Sequence, residues 1–424
     1  MPLCLTVLVL ALLLALPASA PAATTHGPCI VGTTTPKCTV WRGTVPYQAD
    51  DGDTLDVRVD GTSGFTRVRI AGIQAMELTD YGVNRAGECH GVDAATRVDE
   101  LLELGGRRVR LAALGADSRS RGRPVRSVAI KIGGRWIDVG DQLIGEGLAL
   151  WLPFYTEWEW NRTYSQLSRV SAEVGVQGLW NAEACGAGPD EVIPLQLWLS
   201  SNPDGADRDD LNGEYVTVRN LDPERTLDLS DWWVRDSGLR RYTFAPGTIV
   251  GPGGHITVHA GSGTDTPTDR YWSLRRPPFD NASNGPSAIG DGGYLFDPQG
   301  DLRASMSYPC RIDCRDHLAG DLRLKADPTG AESVTVTNTS GQAADLFGYR
   351  LLAGGHQYAF PEGTVIQPGD RFELDLQGDP AQDTPQHRHW GLPSHVLGDH
   401  NGRVTLQTFD VITVACDAWG SSSC

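Results

Sequence analysis

An internal repeat limits this chain more than any other feature. Glu214-Tyr215-Val216-Thr217-Val218-Arg219-Asn220 returns as Glu332-Ser333-Val334-Thr335-Val336-Thr337-Asn338. Leu227-Asp228-Leu229-Ser230-Asp231-Trp232 returns loosely as Ala344-Asp345-Leu346-Phe347-Gly348-Tyr349. Tyr242-Thr243-Phe244, Gly247-Thr248 and Pro252-Gly253 return as Tyr358-Ala359-Phe360, Gly363-Thr364 and Pro368-Gly369, and Tyr271-Trp272 returns as His389-Trp390. The offset stays between 116 and 118 residues, which is a domain length and not a solenoid period. Short alternating segments, frequent turns and no helical period predict two β-sandwiches, at 192–310 and 315–424.

The preceding part must fold separately, because 424 residues exceed one ordinary core. Fifty Gly and 26 Pro favour turn-rich β architecture. Leu55, Val57 and Val59 alternate along one strand. Gly61-Thr62-Ser63-Gly64 turns the chain into a second strand, Phe65–Ile73, with Val68 and Ile70 facing a core and Arg67 and Arg69 facing away. Residues 92–104 have helical period, with Ala95, Val98, Leu101 and Leu102 as the apolar stripe and Gly105-Gly106 as the stop. Val109–Leu111 and Val125–Ile132 read as strands. Val139–Leu148 and Tyr164–Val174 read as helices, the latter with Leu167, Val170 and Val174 on one face. The first domain, 44–186, is therefore expected to be α+β, after a short lead at 21–43.

Residues 1–20 read as a secretory signal. Leu3–Leu16 is nearly all apolar, Ala18-Ser19-Ala20 suits cleavage, and the run falls short of the ~20 residues that span a bilayer. No later stretch could span a membrane, and a secreted monomer is expected. Eight cysteines follow the leader, an even count that implies disulfides in an oxidising compartment. The pairing is open from sequence; chain order suggests Cys29–Cys38, Cys89–Cys185, Cys310–Cys314 and Cys416–Cys424. None has zinc-finger spacing. The net charge of −17 argues against a general nucleic-acid coat. A phosphate-binding site would need a local basic patch, and residues 105–136 supply one, with eight arginines and Lys131 against Asp117 alone.

Asp50-Asp51-Gly52-Asp53-Thr54 leads into the first of these strands, Val68-Arg69-Ile70-Ala71-Gly72-Ile73 carries the second, and Glu77 follows. Carboxylates beside arginines suit a divalent cation held next to a phosphate. Guanidinium binds two phosphate oxygens and stays charged, and a neighbouring carboxylate can activate water. Further along stand Gly87-Glu88-Cys89-His90-Gly91, Arg121-Gly122-Arg123, Gly145-Glu146-Gly147-Leu148-Ala149 and Gly178-Leu179-Trp180. In this order and spacing, residues 44–181 resemble the thermonuclease (staphylococcal nuclease-like) family. The resemblance implies a five-stranded OB-type β-barrel with three helices and metal-dependent hydrolysis of DNA or RNA. It implies calcium as the cofactor, with magnesium or another divalent cation as the alternative. By position it makes Asp53 a metal ligand, Glu77 the group that activates water, and Arg69 and Arg123 the phosphate clamp. Thr54 and Arg121, in the same motifs, would contact substrate. Tyr155, among Trp151, Phe154, Trp158 and Trp160, would stack on a base or bond a phosphate. The second family carboxylate falls at Gln74, which offers a carbonyl oxygen and no charge, so Asp51 or Asp50 would have to compensate.

Glu214-Tyr215-Val216, Asp228-Leu229-Ser230-Asp231-Trp232 and Tyr242-Thr243-Phe244-Ala245-Pro246-Gly247-Thr248 resemble the lamin-tail domain, an immunoglobulin-like β-sandwich. The second copy resembles it more weakly, with Tyr349 where the first has Trp232. Such domains bind or tether, so cell wall or extracellular matrix is the expected partner. His387, His389, His395 and His400 could bind a metal but read more simply as surface. Asp204, Asp207, Asp209 and Asp210 read as a solvated linker. No nucleophile elbow appears, and Gly251-Pro252-Gly253-Gly254 is a hairpin turn rather than a P-loop. The expectation is a secreted, calcium-dependent endonuclease with tethering sandwiches. The alternative is an impaired relative that binds nucleic acid or cell wall without cutting.

Overall fold

Alternating apolar residues along the first strands close a barrel, because each strand finds a partner on both sides. The computed structural model describes residues 24–34, 36–78, 87–175, 177–181, 184–186, 193–201, 207–282 and 287–424. The expected leader, 1–20, and Asp204 lie outside these residues. The elements up to the end of the barrel domain are β1 (Thr25–Pro28), β2 (Lys37–Thr44), β3 (Thr54–Val59), β4 (Thr66–Ile70), β5 (Ile73–Ala75), α1 (Gly91–Leu104), β6 (Arg108–Ala113), β7 (Arg119–Ser120), β8 (Arg123–Ile132), β9 (Arg135–Asp138), α2 (Val139–Gly145), β10 (Ala149–Trp151) and α3 (Asn161–Val174). Strand β2 pairs with β3, β3 with β4, β4 in parallel with β8, β8 with β6, and β6 again with β2. The result is a closed five-stranded barrel with three helices, and closure removes exposed strand edges. Leu55, Val57, Val68, Ile70, Leu111, Val128 and Ile130 join Val98, Leu102, Leu143, Ile144 and Tyr164 in its core.

The elements differ from the sequence expectation in five places. The stretch expected as a lead, 21–43, supplies β1 and nearly all of β2, and β2 is one of the five barrel strands. The expected strand Phe65–Ile73 breaks at Ala71-Gly72 into β4 and β5, where Gly72 takes a φ of +76°. Helix α2 stops at Gly145, short of Leu148, because Gly147 takes a φ of +66° and the Leu148 amide turns back to the Leu143 carbonyl. Helix α3 buries Tyr164, Ser165, Ser168 and Ser171, while Val170 and Val174 are exposed. Of the expected stripe only Leu167 packs against the core; small serines let the helix approach closely along the rest of its inner face. Arg69 does not face solvent. It is only 5% exposed, because carboxylates and backbone carbonyls surround it, whereas Arg67 on the same side stays outside and pairs with Asp56 and Asp50.

All four cysteine pairs suggested by chain order are disulfide-bonded. Among the described residues no helix is long and apolar enough to cross a membrane.

Beyond the barrel domain the chain builds the same set of sheets twice. Strands 195–200, 215–220, 255–259 and 269–271 form one four-stranded sheet, and 241–243, 233–236, 291–296 and 302–308 form its partner. The second copy repeats this order with 322–327, 333–338, 371–375 and 387–389, and with 356–359, 349–353, 402–408 and 413–419. Each copy has its own apolar core. A further cluster joins Met76, Leu150 and Leu179 of the barrel domain to Tyr294, Phe296 and Leu302 of the first sandwich. The two sandwiches meet through Trp198 against Phe347, with ring centroids 4.9 Å apart, and through Arg219 paired with Asp345 at 2.7 Å.

The repeat also isolates one charge. Glu332 uses both carboxylate oxygens, accepting the Leu397 amide at 2.6 Å and the Val396 amide at 2.8 Å. Its counterpart Glu214 accepts the Phe279 amide with one oxygen and leaves Oε1 buried without a partner among the described residues. Burial, aided by repulsion from Asp207, Asp291 and Asp280, raises Glu214 to about 8. A carboxyl raised in the folded state contributes stability that is present below its unfolded pKa and lost as pH rises through the folded one. The thermal midpoint should therefore fall between about pH 5 and pH 8. Glu214→Gln should lessen that fall in a melting series across this range, and an unchanged slope would refute the assignment.

Candidate active site

Three short segments form the site, and glycines bring them together. Asp51 Oδ1 accepts the Asp53 amide at 2.9 Å, closing a tight turn ahead of β3. A Cβ on Gly52 would lie 2.6 Å from that of Ala75 and 2.7 Å from that of Ala94, so the acidic turn packs directly on β5 and α1. Gly72, at φ +76°, joins β4 to β5 against the Tyr164 ring. Strand β10 fixes β5 by pairing Leu150 with Gln74 and Ala149 with Ala75.

Arg69 stands at the centre. One guanidinium nitrogen lies 2.7 Å from Asp53 Oδ2, and another donates to the Ile73 carbonyl at 2.8 Å and to Gln74 Oε1 at 2.9 Å. Gln74 Nε2 donates to Glu77 Oε1 at 2.9 Å and to the Ala75 carbonyl at 3.0 Å. This network fixes the amide, since the reverse orientation would set donor against donor and acceptor against acceptor. Gln74 thus bridges Arg69 and Glu77. Its carbonyl is turned to the arginine, not to the space that a cation would share with Glu77.

Asp53 Oδ2 also accepts the Ala75 amide at 3.1 Å, and Asp53 Oδ1 accepts the Thr54 hydroxyl at 3.1 Å. Thr54 Oγ1 in turn accepts from Arg123 at 3.0 Å, so Thr54 positions that arginine from behind. Glu88 steadies Glu77: its Oε2 accepts the Glu77 amide at 3.0 Å, and its own amide donates to the Glu77 carbonyl at 2.8 Å.

The carboxylates are crowded. Burial raises Asp53 to about 6, with Arg69 opposing the shift and Asp51 adding to it. Burial, then repulsion from Asp53, Asp51 and Glu88, raises Glu77 to about 7 against the pull of Arg69. Such a group can take up and release a proton near neutrality.

A cleft of about 260 Å³ collects these groups. Asp51, Asp53, Arg69, Gln74, Glu77, Arg121 and Arg123 line it, together with Ser120 and Leu152. The remaining sequence candidates lie elsewhere. Thr54 is buried behind Arg123, and Asp50 pairs with Arg67. Tyr155 is outside the lining and donates its hydroxyl to Asp280 of the first sandwich at 3.0 Å, while Trp151 and Trp160 are packed in the barrel core. Much of the basic segment is occupied within the fold. Arg107 pairs with Glu103 and Arg108 with Asp60, and the buried Arg110 and Arg126 donate to backbone carbonyls.

The sequence did not indicate that the first sandwich would complete this cleft. Gly238 and Leu239, in the turn between strands 233–236 and 241–243, form part of its wall. The buried Arg235 anchors that turn, donating to the Gly238 carbonyl and to both oxygens of Glu88 at 3.3 Å. No local pattern marks a contact between residues so far apart in sequence, although Glu88 stood in a recognisable motif. Arg235→Met should cost about 3 kcal/mol by leaving Glu88 in a low-exposure site without its partner. Urea unfolding measures this, and a loss near zero would show that the contact does not hold the domains together.

No curated protein matches the chain. Residues 200–310, which include the Arg235–Leu239 turn, match the sequence model of a family described as Lamin Tail Domain, and this stretch is a lamin tail domain.

Proposed function

We propose that the chain is a secreted phosphodiesterase whose OB-type barrel, of thermonuclease kind, hydrolyses single-stranded DNA or RNA in the cleft between Glu77 and Arg123. One observation carries this reading. Carboxylates from 51–77 and arginines from 121–123, remote in sequence, converge in a single cleft. A general base and phosphate-binding cations in one cleft are what hydrolysis of a phosphodiester needs. The four disulfides fit an extracellular setting.

The donor set fits a hard divalent cation, calcium first and magnesium second. Asp51, Asp53 and Glu77 line one cleft, and a cation would offset the burial, and behind it the mutual repulsion, that raises Asp53 and Glu77. Asp51 and Asp53 would hold it. When bound, it supplies Lewis-acid stabilisation of charge on the phosphate. The protein groups do the rest. Glu77 accepts the proton of the attacking water. Arg121 and Arg123 bind the phosphate oxygens as negative charge grows there. Arg69, expected to form the clamp with Arg123, is instead engaged with Asp53, the Ile73 carbonyl and Gln74, so Arg121 takes its part and Arg69 keeps Asp53 and Gln74 in place. The P–O5′ bond breaks, the 5′ oxygen leaves as a hydroxyl by taking a proton from solvent water, and the product keeps a 3′-phosphate. Gly238 and Leu239 of the first sandwich line the cleft, and a wall there would favour a single strand over a duplex.

A second reading rests on Gln74. Its amide occupies Glu77 Oε1, and its carbonyl occupies Arg69, so the site could bind a nucleic-acid strand without cutting it. Cleavage of labelled single-stranded DNA and RNA, with calcium, magnesium or chelator, separates the readings. Glu77→Gln should slow cleavage about 10²–10⁴-fold, and Arg123→Ala about 10²–10³-fold, with strand binding largely kept for the first. Tight binding with no cleavage under any cation would establish the second reading. Gln74→Asp should tighten calcium binding by adding a charged ligand, as read by calorimetry; unchanged affinity would place Gln74 away from the cation.

A further inference from the structure

Outside the cleft, the second sandwich carries a cluster that its own fold does not need. Strand 387–389 pairs in parallel with strand 371–375, which sets His387 and His389 beside Asp375. His387 Nε2 lies 2.9 Å from Asp375 Oδ2, and His389 Nε2 lies 3.8 Å from the same oxygen. The two imidazoles stack with centroids 5.0 Å apart, and the three ligand atoms lie within 4.8 Å of one another. Asp383 Oδ1 receives the backbone amide of His389 at 2.8 Å and faces its Nδ1 at 3.1 Å. A proton held on Nδ1 by that carboxylate leaves Nε2 with a free lone pair toward Asp375, the arrangement that orients metal-binding histidines.

The first sandwich is an internal control. In the same register it has His259, Asp269 and Tyr271. His259 Nε2 lies 3.1 Å from Asp269, and Tyr271 stacks on His259 at 5.1 Å. An imidazole–carboxylate pair with an aromatic ring stacked beside it therefore satisfies this strand edge. The second copy exchanges the members of the pair and replaces the phenol with a third ligand; Asp383 keeps the place of Asp265, pairing with Arg388 as Asp265 does with Arg270, and in the second copy that carboxylate also meets the new imidazole. Packing does not require that replacement.

We propose that Asp375, His387 and His389 bind one divalent transition-metal ion of the zinc class. Two imidazoles and one carboxylate select zinc or its neighbours over calcium or magnesium, which take oxygen ligands. The His387 side chain is 44% exposed, so solvent can complete the coordination. The proposal is independent of the nuclease reading, because none of its ligands lines the cleft.

The test uses the untagged full-length protein after chelation and dialysis, titrated with Zn²⁺ by calorimetry and with Co²⁺ by visible absorption. Asp51→Asn, at a residue that would hold a cation in the cleft, serves as control for any ion taken there. Wild type and Asp51→Asn should bind Zn²⁺ at this site and show the intense d–d bands of low-coordinate cobalt. His389→Tyr installs the residue the first copy already tolerates, so folding should survive, as its melt in chelator would report. It should lose those bands and weaken the zinc site by about 100-fold or more, and Asp383→Asn should weaken it by about 10–100-fold. Unchanged zinc affinity and cobalt spectrum in His389→Tyr would overturn the proposal, as would a wild type that shows no cobalt bands.

Discussion

The buried pair between Arg69 and Asp53 is the constraint on which the candidate site depends. Both side chains are almost wholly enclosed, and an ion pair in such a place is stabilising only if its remaining hydrogen bonds are made. Here they are made, to the Ile73 carbonyl, Gln74 and the Ala75 amide. The same pair lets Asp51, Asp53 and Glu77 stand close together, because the guanidinium offsets part of their repulsion. Gln74 extends this compensation as a neutral bridge between the arginine and Glu77. A carboxylate in its place would add to the crowding and raise the demand for a cation.

The barrel and the first sandwich are not independent modules joined by a linker. Arg235 reaches Glu88, Glu88 holds the Glu77 backbone, and Gly238 and Leu239 close one side of the cleft. Tyr155 and Asp280 tie the same two bodies at a second point. A lamin tail domain appended to this barrel therefore shapes access to the site as well as extending the protein. The second sandwich follows the first through Trp198, Phe347 and the Arg219–Asp345 pair.

Much of this was legible in the sequence. The repeat foretold two copies of one set of sheets, the 92–104 stripe foretold helix α1, and the even cysteine count foretold four bridges. The converging segments could be named because each carries its residues in a short local motif. What escaped was set by tertiary packing. The stripe on helix α3 places Leu167 on the core but not Val170 and Val174, because serines make the rest of its close contact. The basic segment overstated the free positive charge because Arg107, Arg108, Arg110 and Arg126 meet partners remote from the cleft. Tyr155 was assigned to substrate, but its hydroxyl is held by a sandwich that local spacing could not place beside it.

The central claim is that the cleft performs hydrolysis, with water as nucleophile and phosphorus as the centre attacked. Incubation of a short single-stranded oligonucleotide with the protein and calcium in H₂¹⁸O, followed by mass spectrometry of the products, tests it most directly. The account predicts fragments ending in a 3′-phosphate that carries one ¹⁸O. An oligonucleotide left intact at stoichiometric protein, or fragments without the label, would contradict it.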